Sequence, residues 1–430
     1  MCTYASIIPL IGGMSLASEK VIGKKPEYVL SYSLFQHNDS HYIRYIRNQG
    51  WNGKYYVLDK NPESVIPDIT TDFEASDIPY VDIVNGTPPC AGLSGLSSKS
   101  GSDSATNDWM INATEFVLGT IKPKVYWFEN APRFSTAVGR PVANKVYKIC
   151  ENYGYTLLLF STESRFHENC QIRPRTFVFC FKKDVFGESV HYFDDIPHRF
   201  KNYEDMIKEA NELTEKFGKT DMDLPINPKH PLEVPFYCYC YNLLKPESHQ
   251  EFVKTLCTDY NKPVKLKLYA IESANYNFEI LSNWFSERGF KSTAKHMLEC
   301  RKNLDSGRGL YIHSETVARG VIPSFVGSLP VYLLHPTEQR FITFREGFHL
   351  MGFPHDFSIV ADKPARYANH ICQNVPVNTA ADMAREILKL IEDPSKNILD
   401  DITFAIQRNR QGDIVPIIKN NSNKINNLFE

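Results

Sequence analysis

The fold is decided by the stretch Val81-Asp82-Ile83-Val84-Asn85-Gly86-Thr87-Pro88-Pro89-Cys90-Ala91-Gly92-Leu93-Ser94. It begins as a short apolar run with β-branched residues, which is typical of a buried strand. Glycine, threonine and two prolines then end the strand and force a sharp loop. Cys90 follows the prolines, and the small residues after it leave space for a ligand. In a loop at the carboxyl end of a strand, its thiolate would be an accessible nucleophile, whereas a buried structural cysteine is the alternative.

The composition is that of a folded protein. The 430 residues allow two domains, or one large domain that carries an insertion. Hydrophobic residues make up 42% of the chain and aromatic residues 13%, which is enough for a packed core. Because the formal net charge is -2, the sequence has no global basic field, and any nucleic-acid site must be a local patch.

The ten cysteines show no disulfide framework, which indicates reduced thiols in a cytosolic compartment. Cys238 and Cys240 have no second pair at zinc-ligand spacing, so we predict no metal site. No apolar run approaches the roughly 20 residues that a membrane span needs. Residues 1–11 lack the basic region and the cleavage pattern of a signal peptide.

Strand and helix patterns alternate from residue 1 to about residue 183, which predicts a doubly wound α/β domain. Residues 7–19 read as a strand, a glycine turn with Gly12 and Gly13, and the start of a helix. An α/β sheet places nucleotide-like ligands at such a turn. The further predicted strands are 28–35, 55–58, 125–128, 156–160 and 176–181, and the predicted helices are 40–48, 110–120 and 137–153.

Charged residues stand next to two of these strands. Glu129 directly follows strand 125–128, so it would lie at the same sheet edge as Cys90 and could act as an acid. A carboxylate at a helix N-terminus is the alternative. Arg173 and Arg175 alternate with apolar positions, so both guanidinium groups should point the same way. Two arginines suggest a phosphate or carbonyl-rich ligand, with surface ion pairing as the alternative.

The alternation stops at residue 184. Residues 184–330 are rich in prolines, aromatics and mixed charge, and we interpret them as an inserted second domain. The second half of the insertion is basic, and it is either a phosphate-contacting face or a solvated surface. Its basic residues are Lys262, Lys265, Lys267, Arg288, Lys291, Lys295, Arg301, Lys302 and Arg308.

Three other segments complete the organisation. Residues 97–107 are small and polar, which predicts a loop that is either a lid over Cys90 or a plain connection. Residues 331–395 hold a long amphipathic helix that should return the chain to the first domain. Residues 396–430 are predicted to be a polar C-terminal tail.

Five motifs in one order give the chain a family resemblance. Residues 86–94 resemble G-x-P-P-C-Q-G-x-S, and residues 129–131 resemble E-N-V. Residues 171–175 resemble Q-x-R-x-R, residues 340–346 resemble R-x-[LI]-T-x-R-E before M-G-F-P, and residues 370–376 resemble Q-I-G-N-A-V-P. By these motifs the sequence is similar to the cytosine-5 DNA methyltransferases, from about residue 6 to residue 392 and most weakly in the insertion.

The resemblance implies a Rossmann-like methyltransferase domain with a smaller inserted target-recognition domain. It also implies methyl transfer from S-adenosylmethionine to C5 of a flipped-out cytosine. Cys90 would attack C6 and Glu129 would protonate N3. Arg175 would hold O2 of the base, and Arg173 would support the thiolate electrostatically. The residues assigned to the cofactor are Ile8, Ile11, Gly12, Gly13, Asp39, Asp68, Ile69, Pro89, Gln373 and Asn374. The residues assigned to the DNA are Gln171, Lys262, Lys265, Lys267, Arg308 and Ser94.

The sequence departs from the family pattern at three places. The first motif, F-x-G-x-G-G, is Ile8-Pro9-Leu10-Ile11-Gly12-Gly13 here, without the aromatic residue and one glycine. After the second strand, Gln36-His37-Asn38-Asp39 stands where the family has a ribose-binding acid, so Asp39 or His37 would be the substitute. Ala91 replaces the glutamine that follows the cysteine.

The resemblance also sets the expected partners. It implies double-stranded DNA, a monomer, and a cytoplasmic location in a bacterium or a phage-infected cell, and it leaves a cognate restriction endonuclease open. The alternatives are a catalytically silent DNA-binding relative or regulatory subunit, an RNA cytosine methyltransferase, and an enzyme with a modified sulfonium donor. Retention of Cys90, Glu129, Arg173 and Arg175 argues against the silent relative. The long insertion argues against a shape-reading RNA enzyme.

Overall fold

The computed structural model describes residues 2–59, 78–89, 92–93, 101–194, 196–310, 314–326, 329–359, 364–409 and 413–416. Predicted site residues outside these ranges are Asp68, Ile69, Cys90 and Ser94, and the first part of the predicted lid, residues 97–100, is outside them too. Among the helices of the described ranges, none is long and apolar enough to cross a membrane.

A nine-stranded sheet forms the centre of the fold. Its strands are β1 (Tyr4–Ile7), β2 (Tyr28–Ser31), β3 (Lys54–Val57), β4 (Ile83–Gly86), β5 (Val125–Asn130), β6 (Tyr155–Glu163), β7 (Pro174–Lys182), β8 (Phe404–Arg408) and β9 (Asp413–Pro416). Their order in space is β3-β2-β1-β4-β5-β7-β6-β8-β9. The first five strands in this order, β3, β2, β1, β4 and β5, run parallel to one another. Strand β7 runs antiparallel to both β5 and β6. The strand order reverses between β1 and β4, and open α/β sheets bind ligands at the carboxyl ends of such a pair.

Fourteen helices occur in the described part of the chain. They are α1 (Gly13–Ile22), α2 (Gln36–Asn48), α3 (Asp108–Phe116), α4 (Arg140–Tyr153), α5 (Lys183–Phe186), α6 (Tyr203–Phe217), α7 (Pro235–Leu244), α8 (His249–Leu256), α9 (Leu266–Ser273), α10 (Phe278–Glu287), α11 (Lys291–Asp305), α12 (Phe344–Leu350), α13 (Pro364–Cys372) and α14 (Val377–Glu392). Apolar side chains of α1, α2 and α14 join one hydrophobic cluster, and those of α3 and α4 join another.

The two clusters lie on opposite faces of the sheet, because side chains alternate along each strand. In β5, Val125 and Trp127 belong to the first cluster, whereas Tyr126 and Phe128 belong to the second. All four are fully buried. A central strand that is apolar on both sides requires helices on both faces. The structure therefore confirms the predicted doubly wound α/β fold.

The insertion has a hydrophobic core of its own. Helices α7 to α11 build this core, and Val317, Leu334 and Phe341 complete it. Residues 184–202, in contrast, stay with the main sheet: Val190 and Phe193 pack in its core, and Val190–His191 pairs with Ile398–Leu399. The separate core thus begins near residue 234, whereas the sequence placed the start of the insertion at residue 184.

The prediction of a polar C-terminal tail for residues 396–430 is wrong for the first part of that segment. Strand β8 lies parallel to β6, with Phe404 opposite Leu157, and β9 pairs antiparallel with β8. Phe404, Ala405 and Ile406 are buried. These three residues form an apolar run too short to predict a strand alone, and the partner that makes it a strand lies some 250 residues earlier in the chain.

Candidate active site

The turn after β1 has an unusual backbone. Ile8 and Leu10 have φ angles of 49° and 54°, and Gly12 has 96°. Left-handed conformations are costly for residues with a Cβ, and a β-branched isoleucine is a true outlier there. Strain of this kind concentrates at ligand sites. Leu10 stands where the family motif has its first glycine, so the left-handed turn is kept although the glycine is lost.

The two glycines of this turn are sterically required. A Cβ on Gly12 would come within 2.3 Å of the Tyr42 ring. A Cβ on Gly13 would come within 2.3 Å of the Val375 carbonyl oxygen. The Gly13 N–H donates to Asn374 Oδ1 at 3.0 Å. The closing motif of the sequence, residues 370–376, is therefore packed against the first turn, as the assignment of both to one site requires.

The other cofactor assignments occupy different positions around this turn. The side chains of Ile8 and Ile11 are buried in the two hydrophobic clusters. Pro89 follows β4 and is half-buried. Gln373 is exposed, and its Oε1 accepts a hydrogen bond from Asn38 Nδ2 at 3.3 Å. These positions surround the carboxyl ends of β1 and β4, where the strand order reverses.

Thr87 lies where the strand order reverses between β1 and β4, a place that we call the switch point. Its side chain carries a polar atom without a partner among the described residues. It directly follows β4, and its N–H donates to the Ile8 carbonyl at 3.3 Å. The hydroxyl is buried and has no hydrogen-bond partner among the residues that the structure describes. Buried hydroxyl groups are normally hydrogen-bonded, so a missing partner calls for an explanation. A polar ligand in the crevice between β1 and β4 would supply one.

The cofactor role predicted for Asp39 is corrected by the structure. Its side chain is fully buried and accepts hydrogen bonds from the Leu10 N–H at 3.0 Å, the Tyr55 hydroxyl at 3.0 Å and the Ser31 hydroxyl. With no exposed surface, the carboxyl group cannot reach ribose hydroxyls. It instead holds the strained turn at Leu10. Burial raises the pKa of Asp39 to about 8, although the three hydrogen bonds oppose the shift.

This raised pKa predicts a pH-dependent stability that Asp39→Asn should remove. The folded state binds the proton more tightly than the unfolded chain. The contribution of this group is therefore complete below about pH 4 and is lost as the pH rises towards 8. Urea unfolding at several pH values should show Asp39→Asn gaining stability relative to the wild type from acid to pH 8, by up to about 5 kcal/mol for a pKa shift of this size. Asp59→Asn, which removes an exposed carboxylate, is the control, and a pH-independent difference between Asp39→Asn and wild type would contradict the interpretation.

Asp59 is an acid that the sequence analysis missed. It is exposed two residues after β3, and its carboxylate accepts hydrogen bonds from the Ser33 N–H at 2.8 Å and the Ser33 hydroxyl at 2.5 Å. It lies at the carboxyl edge of the sheet, beside the loop that follows β2. The signal that identified Glu129, an acid at the end of a strand, would have found this residue as well.

Glu129 and Arg175 meet at the carboxyl edge of the sheet. The sequence placed Glu129 after its strand, but β5 extends to Asn130 because antiparallel β7 pairs with it to the end, opposite Thr176. Arg175 lies near the start of β7 and therefore comes to the same edge. Its Nε forms an ion pair with Glu129 Oε1, and both side chains are largely buried, at 11% and 4% exposure. This ion pair is the polar centre of the candidate site.

Arg173 is buried in the wall of the site. Its Nη2 donates to the carbonyl oxygens of Cys372 and Asn374, at 2.8 and 2.7 Å. Its Nη1 donates to the Phe325 carbonyl at 2.5 Å. The guanidinium group therefore ties the start of β7 to the closing motif. The positive charges of Arg173 and Arg175 both favour the ionised form of the Cys372 thiol.

Two residues assigned to the DNA are corrected. Gln171 is fully buried, and its side-chain amide donates to the Leu350 carbonyl at 3.1 Å. Lys267 is only 1% exposed, and its Nζ lies 2.8 Å from His296 Nε2. Burial lowers the pKa of Lys267. Neither side chain can contact a phosphate without leaving the core of the protein.

The other basic residues keep a position that permits a nucleic-acid contact. Lys262 and Arg308 are exposed, and Lys265 is half-buried. The lysines and the arginine of α11 are also at the surface, where Arg301 pairs with Asp305 at 3.0 Å. The described part of the insertion therefore offers an exposed basic face, although a smaller one than the sequence suggested.

The fourth motif has a structural role. Arg340 donates to both carboxylate oxygens of Glu346, at 2.7 and 2.8 Å. Glu346 also accepts from the Thr343 N–H at 2.8 Å, and the Thr343 hydroxyl accepts from the Glu346 N–H at 3.1 Å. This is a capping box, which fixes the start of α12.

The chain matches known proteins over most of its length. Residues 30–389 match the family model described as C-5 cytosine-specific DNA methylase. The chain is similar to the Type II methyltransferase M.Bpa9945I of Bacillus paralicheniformis, with 24% identity over 346 residues that cover 72% of this chain and 71% of that protein.

Two solved structures are similar in fold. A DNA modification methyltransferase encoded within a prophage in E. coli has 17% identity and a TM-score of 0.53, over 91% of this chain and 100% of that chain. The methyltransferase EhMeth of Entamoeba histolytica has 10% identity and a TM-score of 0.51, over 90% of this chain and 98% of that chain. At these identities the likeness concerns the fold alone.

Proposed function

The chain belongs to the C-5 cytosine-specific DNA methylase family, and we propose that it methylates C5 of cytosine in double-stranded DNA. The observation that carries this proposal is the buried Glu129–Arg175 pair at the carboxyl edge of the sheet. It stands beside the switch point that the first turn and the closing motif surround. A proton donor and a cationic hydrogen-bond donor are what a cytosine ring needs at N3 and O2.

The residues supply the parts of a covalent mechanism. Cytosine is a poor electrophile, so the Cys90 thiolate attacks C6 while the Glu129 carboxylic acid gives its proton to N3. The electron pair of the C5–C6 double bond would become available at C5. When bound, S-adenosylmethionine would supply the methyl group to C5, and its sulfur would keep the electron pair of the broken bond and leave as a neutral thioether. Loss of the C5 proton to a base then restores the double bond and expels Cys90. Arg175 would bind O2 throughout these steps.

The switch point fits S-adenosylmethionine. The backbone turns in the left-handed conformation at Leu10 and Gly12 beside the crevice, and the buried Thr87 hydroxyl, which has no partner among the described residues, offers a polar contact. Because Asp39 is buried, we assign the ribose hydroxyls to Asp59, the exposed acid beside the same crevice. Pro89, Gln373 and the backbone of the first turn would complete the contacts.

Gly13→Ala should weaken binding of S-adenosylmethionine. The new Cβ would lie 2.3 Å from the Val375 carbonyl oxygen and 3.1 Å from Asn374 Oδ1, so the closing motif must move. Overpacking of this kind costs about 1–3 kcal/mol, which corresponds to roughly tenfold to hundredfold in affinity. Isothermal titration would measure it. Gly309→Ala is the control, because this glycine has open space around it. Equal affinity of Gly13→Ala and wild type would show that this turn does not take part in binding the cofactor.

The DNA would lie between the site and the insertion. A base inside a duplex cannot reach Cys90 and Glu129, so the cytosine must be flipped out. The exposed basic residues of the insertion, among them Lys262 and Arg308, would bind phosphates. Residues 101–107 are held to Gly92 by the Gly101 N–H, which donates to the Gly92 carbonyl at 2.7 Å. A segment at this position would border the DNA.

The test is sequencing of total DNA from a host that expresses the protein, with a read-out for 5-methylcytosine and its context. Methylation at one short sequence is expected, because target-recognition domains read base edges in the groove. Unmodified DNA from a host that contains folded protein would contradict the proposal. Methylated RNA together with unmodified DNA would show that the substrate is RNA.

A further inference from the structure

Three histidine side chains converge beside the closing motif. His37 and His41 lie one turn apart on α2, and His370 lies on α13. Their possible ligand nitrogens all lie within 4.8 Å of one another. The ring centroids are 5.3, 6.0 and 6.1 Å apart. None of these histidines has a role in the methyl transfer proposed above.

The cluster is built as metal sites are. His41 and His370 are buried, whereas His37 is exposed and leaves one side open. Burial and, to a smaller extent, the charges of neighbouring histidines lower the pKa of His41 to about 3 and that of His370 to about 4. Both imidazoles are therefore neutral at pH 7, which is the form that binds a metal ion. Arg44 is the nearby cation, and it also opposes protonation of His41.

We propose that His37, His41 and His370 bind a divalent transition-metal ion of the zinc class. Imidazole is a preferred ligand of zinc, copper and nickel ions. Zinc–nitrogen bonds of about 2.0–2.1 Å place tetrahedral ligands roughly 3.3–3.4 Å apart. The ligand nitrogens, which lie within 4.8 Å of one another, would therefore have to move closer together when the ion binds. Three protein ligands leave a fourth position for water.

The ion would join two elements that are distant in sequence. Helix α2 follows β2, and α13 leads directly into Gln373 and Asn374. One weaker link between them already exists: Asn38 Nδ2 donates to Gln373 Oε1 at 3.3 Å. A metal ion would strengthen this connection and stabilise the folded state, because the unfolded chain offers no preformed site.

Sequence analysis could not identify this site. Two histidines at i and i+4 share one helix face, but the third ligand lies more than 300 residues away. Metal prediction from sequence relied on cysteine spacing, which favoured no metal. The structure supplies the missing proximity.

The proposal is tested by titrating the full chain with Zn²⁺ and with Co²⁺ under thiol-reducing conditions. We expect one tight site, visible-region absorption of a tetrahedral Co²⁺ complex, and a melting temperature that rises with Zn²⁺. The double variant His41→Asn/His370→Asn should lower Zn²⁺ affinity at least a hundredfold and lose the Co²⁺ spectrum. His37→Ala changes an exposed residue and should lower the affinity at least tenfold. This single variant keeps the test decisive if the double variant misfolds.

His296→Asn is the matched control. His296 Nε2 lies 3.5 Å from Cys300 Sγ, so this pair is an alternative place for a thiophilic ion. Its loss should leave the affinity and the Co²⁺ spectrum unchanged. Absence of a tight site in the wild type, or equal affinity in His37→Ala and wild type, would overturn the proposal. The measurements use neither DNA nor S-adenosylmethionine, so a negative result would leave the proposed methyl transfer unaffected.

Discussion

Replacing Cys90 by serine should abolish methyl transfer and lower the single-turnover rate by at least about 10⁴-fold, the scale on which covalent catalysis is lost with its nucleophile. A serine hydroxyl does not ionise near neutral pH, whereas a cysteine near cationic groups does. DNA binding should persist because the side chains have similar size. Rates would be measured with a radiolabelled methyl group. DNA that carries 5-fluorocytosine should trap the wild type covalently, since fluorine cannot leave C5 as a proton does, and it should not trap the variant.

Cys372 provides the control for this experiment. It is a buried thiol of the closing motif, its backbone carbonyl accepts a hydrogen bond from Arg173 Nη2 at 2.8 Å, and the charges of Arg173 and Arg175 favour its ionised form. Burial raises its pKa to about 12 despite the two arginines, and its Sγ donates to the Ala368 carbonyl at 3.1 Å. It is therefore a protonated, structural thiol, and Cys372→Ser should keep most of the activity. If Cys372→Ser loses the covalent adduct while Cys90→Ser keeps it, the assigned nucleophile is wrong.

The sheet could be predicted from the sequence because its strands carry their own signal. Strand β5 is apolar at every position from Val125 to Phe128, which only a strand buried on both faces requires. Motif order then placed Glu129 and Arg175 in one site, and the structure joins them in an ion pair. The first inference rests on the apolar pattern of the strand and the second on the order of the motifs, because Arg175 stands near the start of a strand that runs antiparallel to β5.

The burial of individual polar residues could not be predicted in this way. Asp39, Gln171 and Lys267 all read as candidates for ligand or DNA contacts, yet each is buried among partners far away in sequence. Asp39 is bonded to Leu10, Gln171 to Leu350 and Lys267 to His296. The sequence of a periodic segment does not tell whether a polar side chain faces water or a buried hydrogen-bond partner. Strand β8 was missed for a similar reason, because its partner β6 is remote.

Glu129→Gln should lower the single-turnover rate by about 10²- to 10⁴-fold, the range for loss of a general acid. Glutamine keeps the shape of the side chain and an oxygen that can remain beside the Arg175 guanidinium group. It cannot give a proton to N3, so negative charge would develop on the ring when C6 is attacked. Formation of the covalent adduct should therefore slow, while the affinities for S-adenosylmethionine and DNA stay close to those of the wild type.

Glu163→Gln distinguishes proton donation from damage to the sheet edge. Glu163 ends β6, is buried like Glu129, and pairs with the Nε of Arg165. Its replacement removes the same charge from an equivalent ion pair one antiparallel strand away from β5, so a purely structural effect should appear in both variants. Activity should fall in Glu129→Gln alone. Equal losses would mean that Glu129 acts by holding Arg175 in place and that the proton for N3 comes from another group.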